Sequence, residues 1–358
     1  MENSEIKQSY AIDVIAGDGI GQEVMPPAIA CIDMLAAKHD FTITWRERDW
    51  SSERYLRDGT MMPANGIEQL ADGDGIFLGA VGTPDIPDHI TLWGLLIPIR
   101  RDFMQYINLR PTKLLPGLKP RVTGADSIDL LVVRENVEGE YSELGGRAYR
   151  GRPEELAIQE ALFTRRGVER VARFALDLAS RRSGRLVSAT KSNGIIHSMP
   201  FWDEVIDEVG KEFSSVTIEP VLIDALAARG VLRPDTLDVV VASNLFGDIL
   251  SDLLSAAAGS IGIAPSANLN PEHEFPSLFE PVHGSAPDIA GKGLANPIGQ
   301  MWAGAMMLEH LGQKAAAAEL TGAFESVVAL GHSTPDLGGS LSTEEFTAAV
   351  IEQINTKH

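Results

Sequence analysis

A single cysteine, Cys31, leaves no partner for an internal disulfide, which suits a protein of a reducing cytoplasm. No stretch approaches the roughly 18 consecutive apolar residues of a membrane helix, so no membrane partner is expected. The opening segment, Met1 to Gln8, is polar and mixed in charge, and without an apolar core it does not read as a secretory signal. Basic residues are in the minority: 30 Lys and Arg against 50 Asp and Glu give a formal charge of −20. That balance excludes non-specific nucleic-acid binding, but a locally basic pocket for small anions remains open. The Walker phosphate loop is missing, as are a Ser/His/Asp or Cys/His nucleophile set, any thiolate metal spacing, repeats and low-complexity tracts.

What is present is an alternation of strand and helix patterns, which predicts an α/β fold over 358 residues, enough for two domains or one large one. Tyr10 to Ile15 reads as a strand, Gly17 to Gly21 as a tight turn, and Val24 to Ala37 as a helix. Further strands are expected at Gly75–Val81, Ile128–Val133, Leu186–Thr190, Val216–Ile223 and Leu237–Ala242, with a long helical stretch from Glu155 to Arg182. The Gly17–Gly21 spacing is G-x-G-x-G rather than the dinucleotide fingerprint G-x-G-x-x-G, and no acid ends a clear second strand, so a Rossmann fold is not expected. No linker divides the chain, so any second domain is an insertion with two crossings.

Four of these strands end in polar clusters, the place where open α/β sheets bind ligands. The richest is Ser243 to Asp252, which carries Asn244, Gly247, Asp248, Ser251 and Asp252. Asp248 and Asp252 are four apart, on one face of a helix, where like charges repel unless a cation lies between them. Mg²⁺ or Mn²⁺ would serve, although acids near a helix start also complement its dipole. Asp224, after Val216–Ile223, offers a third carboxylate. Lys191, closing an apolar strand, suits a proton relay. Arg134 closes another and is followed by Tyr141, a candidate proton donor; Arg100, Arg101 and Arg110 supply further forks for carboxylates. In Phe279 to Gly291, with Asn296 beyond, Gly284 and Gly291 permit close backbone approach to a ligand and Asp288 is a candidate ribose acceptor.

Together these residues resemble the β-decarboxylating dehydrogenases, the family of isopropylmalate, isocitrate and tartrate/D-malate dehydrogenases, from Gly17–Gly21 to Thr334–Gly339. Pro87–Leu96 and Thr190–Trp202 are similar to the tartrate/D-malate branch in particular. The resemblance implies the family's two-domain fold rather than a classical Rossmann fold. Residues 1–105 and 259–358 would form the larger, cofactor-binding domain, and residues 106–258 the smaller one with the metal site and dimer interface. It implies Arg100, Arg110 and Arg134 on substrate carboxylates, Trp93 against the substrate's third carbon, and Tyr141 and Lys191 as the proton-transfer pair. Asp224, Asp248 and Asp252 would hold Mg²⁺ or Mn²⁺, with K⁺ a further candidate ion. Glu280, His283, Gly284, Ser285, Ala286, Asp288 and Asn296 would hold the nicotinamide cofactor, and the acid at Asp288 favours NAD by repelling a 2′-phosphate. The enzyme would be a homodimer in which Lys191 and Asp224 reach into the partner's site. Isopropylmalate enzymes carry an acid before the Gly-Leu-Leu that packs the isopropyl group; here Trp93 takes that place, with the loop shifted by one residue. A small hydroxy dicarboxylate follows: D-malate, oxidised and decarboxylated, with tartrate alongside. The alternatives are a 3-isopropylmalate dehydrogenase and a catalytically silent relative.

Overall fold

The computed structural model describes residues 8–123 and 125–356, so the N-terminal segment read above lies outside the described residues except for Gln8. The chain is mixed α/β and divides into two compact units. One runs to Gln105, adds Leu114–Lys119 and resumes at Gly259; the other comprises Tyr106–Lys113 and Pro120–Ala258.

The strands, in chain order, are β1 (Ser9–Gly17), β2 (Thr42–Glu47), β3 (Gly75–Ala80), β4 (Ile107–Lys113), β5 (Asp129–Glu135), β6 (Gly145–Ala148) and β7 (Leu156–Gln159). They continue with β8 (Arg185–Thr190), β9 (Thr217–Leu222), β10 (Val239–Ala242), β11 (Pro265–Leu269) and β12 (Ser277–Pro281). In the first unit the strand order is β2-β1-β3-β12-β11. β3 is buried at every residue, as expected of a continuous apolar run covered on both faces. It pairs in parallel with β1 and with β12, two strands from opposite ends of the chain. The Gly17–Gly21 turn leads from β1 into the helix Gly21–Lys38.

The second unit has the order β4-β5-β10-β8-β9. The last four strands are mutually parallel, with Ala242 beside Arg134 and Thr190 beside Leu222. Their carboxyl ends therefore leave the sheet along one edge. That edge carries Arg134, Asn244, Lys191 and Asp224 in the order of the strands that deliver them.

The long helix expected from Glu155 to Arg182 is replaced by two elements. Leu156–Gln159 is a strand paired with β6 in an exposed hairpin, and the helix starts only at Arg165. Thr164 sets that start: its backbone is extended, and its side-chain oxygen accepts from the Gly167 N–H. The helical propensity of Leu156, Ala157 and Gln159 is overridden by pairing with Gly145–Ala148, and the Thr164 cap sets the later start. The strands β2, β4, β6, β7, β11 and β12 were not anticipated. In particular, Phe279 and Glu280, expected in a loop, lie on β12.

Candidate active site

In the second unit the site is built on one face of the helix Asn244–Ala258. Asn244, Asp248, Ser251 and Asp252 recur at the spacing of four, three and one that keeps them on that face. Two arginines meet it. The Nε and one terminal nitrogen of Arg134 donate to Asn244 Oδ1 at 3.0 and 2.7 Å, and its other terminal nitrogen pairs with Asp248. Arg110 donates from Nε to Asn108 Oδ1 at 2.7 Å, and from one terminal nitrogen to Ser251 Oγ at 2.8 Å and to Asp252 and Asp248 at 3.1 Å each. Both arginines are buried. Gly247 lets the helix come this close, because a Cβ there would lie 2.7 Å from the Arg134 Cβ.

The repulsion between Asp248 and Asp252 is thus already met by guanidinium groups, and the pair alone does not demand a metal. Burial, followed by the charge of Asp248, raises the pKa of Asp252, while Arg110 pulls it down. Tyr141 completes the cluster. Its hydroxyl donates to Asp248 Oδ2 at 2.9 Å, and its ring lies under the Arg134 guanidinium, 5.5 Å from the centroid.

The loop between Arg134 and Tyr141 is held by acids that sequence reasoning passed over. Glu138 accepts from the backbone N–H and hydroxyl of Thr164, at 2.8 and 2.7 Å. Glu140 accepts from Ser243 Oγ and from the Leu245 N–H, fixing the entrance to the helix that carries Asp248. The available signal was two acids, Glu138 and Glu140, just before Tyr141, and two hydroxyl residues, Thr164 and Ser243, suited to start helices.

Glu135 lies under this loop. It is buried, accepts from the N–H groups of Val137 and Glu138, and burial pushes its pKa from 4.5 up to about 7. Below pH 4.5 the folded and unfolded chains both hold this proton. Between there and about 7 only the folded chain does, so the contribution to stability is lost as the pH rises through that window. Glu135→Gln is expected to flatten this slope, worth on the order of 3 kcal/mol. Urea denaturation of both proteins at about pH 5 and about pH 8 checks it; equal pH dependence would contradict it.

Lys191 and Asp224 form their own pair at 2.8 Å, and the Lys191 hydrogen bond lowers the pKa of Asp224. Asp224 opens the helix Ile223–Leu232. It does not join Asp248 and Asp252 in a cluster: among the described residues, no three His, Cys, Asp or Glu side chains come together to hold a metal.

In the first unit, Arg100 is buried and paired with Glu280 at 3.0 Å, and Asn268 donates to the same Glu280 oxygen at 2.7 Å. Trp93, in the π-helical turn Leu92–Leu96, stacks under the Arg101 guanidinium at 4.8 Å. Beyond β12 the chain passes through His283, Gly284, Ser285, Ala286 and Asp288. Gly284 and Asp288 are exposed, and a Cβ at Gly284 would meet nothing within 4 Å. His283 Nδ1 is 3.0 Å from the Gly284 carbonyl; with that carbonyl accepting, Nε2 is left as a buried acceptor without a partner. Burial lowers its pKa, which favours the neutral ring. An open loop with an unanswered acceptor fits a polar ligand such as a dinucleotide. Asn296 turns its amide to Asp336, whose oxygens lie 3.1 and 3.3 Å from Nδ2.

Two α/β units, one with arginines arrayed against paired carboxylates, are the equipment of a dehydrogenase acting on small acids. The chain belongs to the isocitrate/isopropylmalate dehydrogenase family, whose profile matches residues 11–350. It is 51% identical to the tartrate dehydrogenase/decarboxylase of Pseudomonas putida, covering 97% of this chain and 98% of that one. It is also 51% identical to the decarboxylating D-malate dehydrogenase of Escherichia coli (strain K12), covering 97% and 99%. Among solved structures it is similar to the isocitrate dehydrogenase of Methylococcus capsulatus, with a TM-score of 0.88 and 30% identity over 97% of this chain and all of that one. The fold is therefore that of this family, and the Rossmann alternative is set aside.

Proposed function

We propose that the protein oxidises D-malate with NAD⁺ and decarboxylates it to pyruvate and CO₂ with the aid of Mg²⁺ or Mn²⁺, and that it also oxidises tartrate. The observation that carries this reading is the face of Asn244–Ala258, where Arg110, Arg134 and Tyr141 all meet Asp248. Arg100, Arg110 and Arg134 hold substrate carboxylates. Lys191 takes the hydroxyl proton as hydride leaves the substrate, and Tyr141 returns a proton to the carbon that loses CO₂. The donor set of Asp248 and Asp252 is all oxygen, which fits a hard divalent ion. Such an ion, when bound, supplies Lewis-acid polarisation of the substrate's oxygens. NAD⁺ is taken by the Glu280–Asn296 segment in the larger unit, and Asp288 disfavours NADP⁺.

In this reading the enzyme is a homodimer. One chain provides two carboxylates, and the third, Asp224, comes with Lys191 from the partner. Leu144, Leu156, Ile158 and Leu162 on and beside the hairpin, together with Leu232 and Ile249, are exposed apolar side chains in the second unit that a second copy would cover. The buried, unpaired Cys31 agrees with a cytoplasmic setting. Among the described residues, no helix is long and apolar enough to cross a membrane.

The test is NADH formation from D-malate, tartrate and 3-isopropylmalate, with NAD⁺ or NADP⁺ and with or without Mn²⁺. D-malate with NAD⁺ and metal is expected to be fastest. A preference of about tenfold or more for 3-isopropylmalate would move the protein to leucine-type chemistry. Activity that survives chelation would remove the metal.

A further inference from the structure

The Gly17–Gly21 turn has no role in the chemistry above, yet two of its residues, Gly19 and Ile20, meet the loop assigned to the cofactor. Asp18 accepts from the Ser52 N–H and hydroxyl at 2.8 and 2.6 Å and from the Gly82 N–H at 2.8 Å, while its own N–H donates to the Ala80 carbonyl. One carboxylate thus gathers the segments that follow β2 and β3. The next residue, Gly19, has φ +53, and a Cβ on it would lie 2.0 Å from the Ser285 carbonyl oxygen. The Ile20 N–H donates to that same oxygen at 2.8 Å. The turn therefore grips the loop at Ser285.

A second grip lies one helical turn further on. Glu23 accepts from the Gly291 N–H at 3.1 Å and the Ala295 N–H at 3.0 Å, and from the Thr343 hydroxyl at 2.7 Å. Between the two grips, Ala286, Ile289 and Ala290 pack on the cluster of Ile20, Val24 and Ala295. The apolar side of the segment is fastened to the first helix, and Gly284 and Asp288 remain exposed. The segment has left-handed residues at Ala286, Gly291 and Gly293, so without outside anchors it would sample many conformations. A ligand that had to order it would bind more weakly.

We infer that Asp18 and Glu23 are positioning residues that pre-form the nicotinamide-cofactor loop from Ser285 to Ala295. This rests on the reading that Glu280–Asn296 binds NAD. Full-length Glu23→Gln, Glu23→Leu and Asp18→Asn would be compared with wild type in three measurements: the NADH dissociation constant by fluorescence, KM for NAD⁺ and for D-malate separately, and hydrogen exchange over residues 284–295. Glu23→Leu and Asp18→Asn are expected to weaken NADH binding and raise the NAD⁺ KM about tenfold or more, with the D-malate KM unchanged and loop amides exchanging faster. Glu23→Gln keeps one carbonyl acceptor and is expected to fall between Glu23→Leu and wild type. Unchanged NADH affinity in folded variants overturns the inference. So does an equal loss for NADH and D-malate, since that is the mark of a merely structural role. If Glu23→Leu does not fold, the graded effect of Glu23→Gln decides in the same way. Wild type that binds no NADH would instead refute the cofactor reading itself.

Discussion

Lys191→Ala is expected to lower kcat on D-malate by roughly a hundred- to ten-thousand-fold, the usual worth of a positioned acid–base group. The melting temperature should barely move. Within one chain the Lys191 and Asp224 side chains are 29% and 66% exposed, and a pair so open to water contributes little to the stability of that chain. This combination distinguishes a reacting group from a structural one. Steady-state turnover at saturating NAD⁺, D-malate and Mn²⁺, with a thermal melt of the same sample, makes the comparison. A small primary amine added to the variant should restore part of the rate if the missing function is proton transfer. A variant within about tenfold of wild type would remove Lys191 from the chemistry.

Arg134→Met is expected to damage both stability and turnover. The guanidinium is buried, and its removal strands Asn244 Oδ1, leaves Asp248 with less compensation and takes the cation from over the Tyr141 ring. Losing one member of a buried pair costs about 3–5 kcal/mol; Asp248 is 30% exposed, so roughly 2–4 kcal/mol is the expectation here. Urea denaturation provides the number. A double-mutant cycle with Asp248→Asn should show strong coupling, because neutralising Asp248 removes part of the reason it needs Arg134. Additive losses would mean that the two side chains act independently.

The parts of the site legible in the sequence were those carried by strand ends. Arg134, Lys191, Asp224 and Asn244 each follow a short apolar run, and parallel pairing alone sets them along one edge. The helix bearing Asp248 and Asp252 was equally plain, since its polar residues share a single face. Harder to read were contacts that depend on which segments meet. No pattern in the sequence announces that Arg110 lies between Asp248 and Asp252, or that Glu280 is tied to Arg100. The hairpin was missed for a different reason. Gly145–Ala148 and Leu156–Gln159 are exposed throughout, so neither has the buried alternation by which strands are recognised. Asp18 and Glu23 were hidden because most of their partners are backbone amides, which any sequence supplies.

The pairing of β3 with both β1 and β12 has a consequence for how the protein is made. When β3 leaves the ribosome it can join β1 at once, but its other edge belongs to Ser277–Pro281, and the whole Pro120–Ala258 stretch must be synthesised first. Throughout that interval a nascent chain carries a fully apolar strand with an open edge, the kind of surface that recruits holding chaperones and seeds aggregates. The strands of the second unit are all synthesised by Ala242 and its last helix by Ala258, before β12 is made. Released chains truncated just before Ser277 should therefore contain a protease-resistant second unit and a protease-sensitive first one.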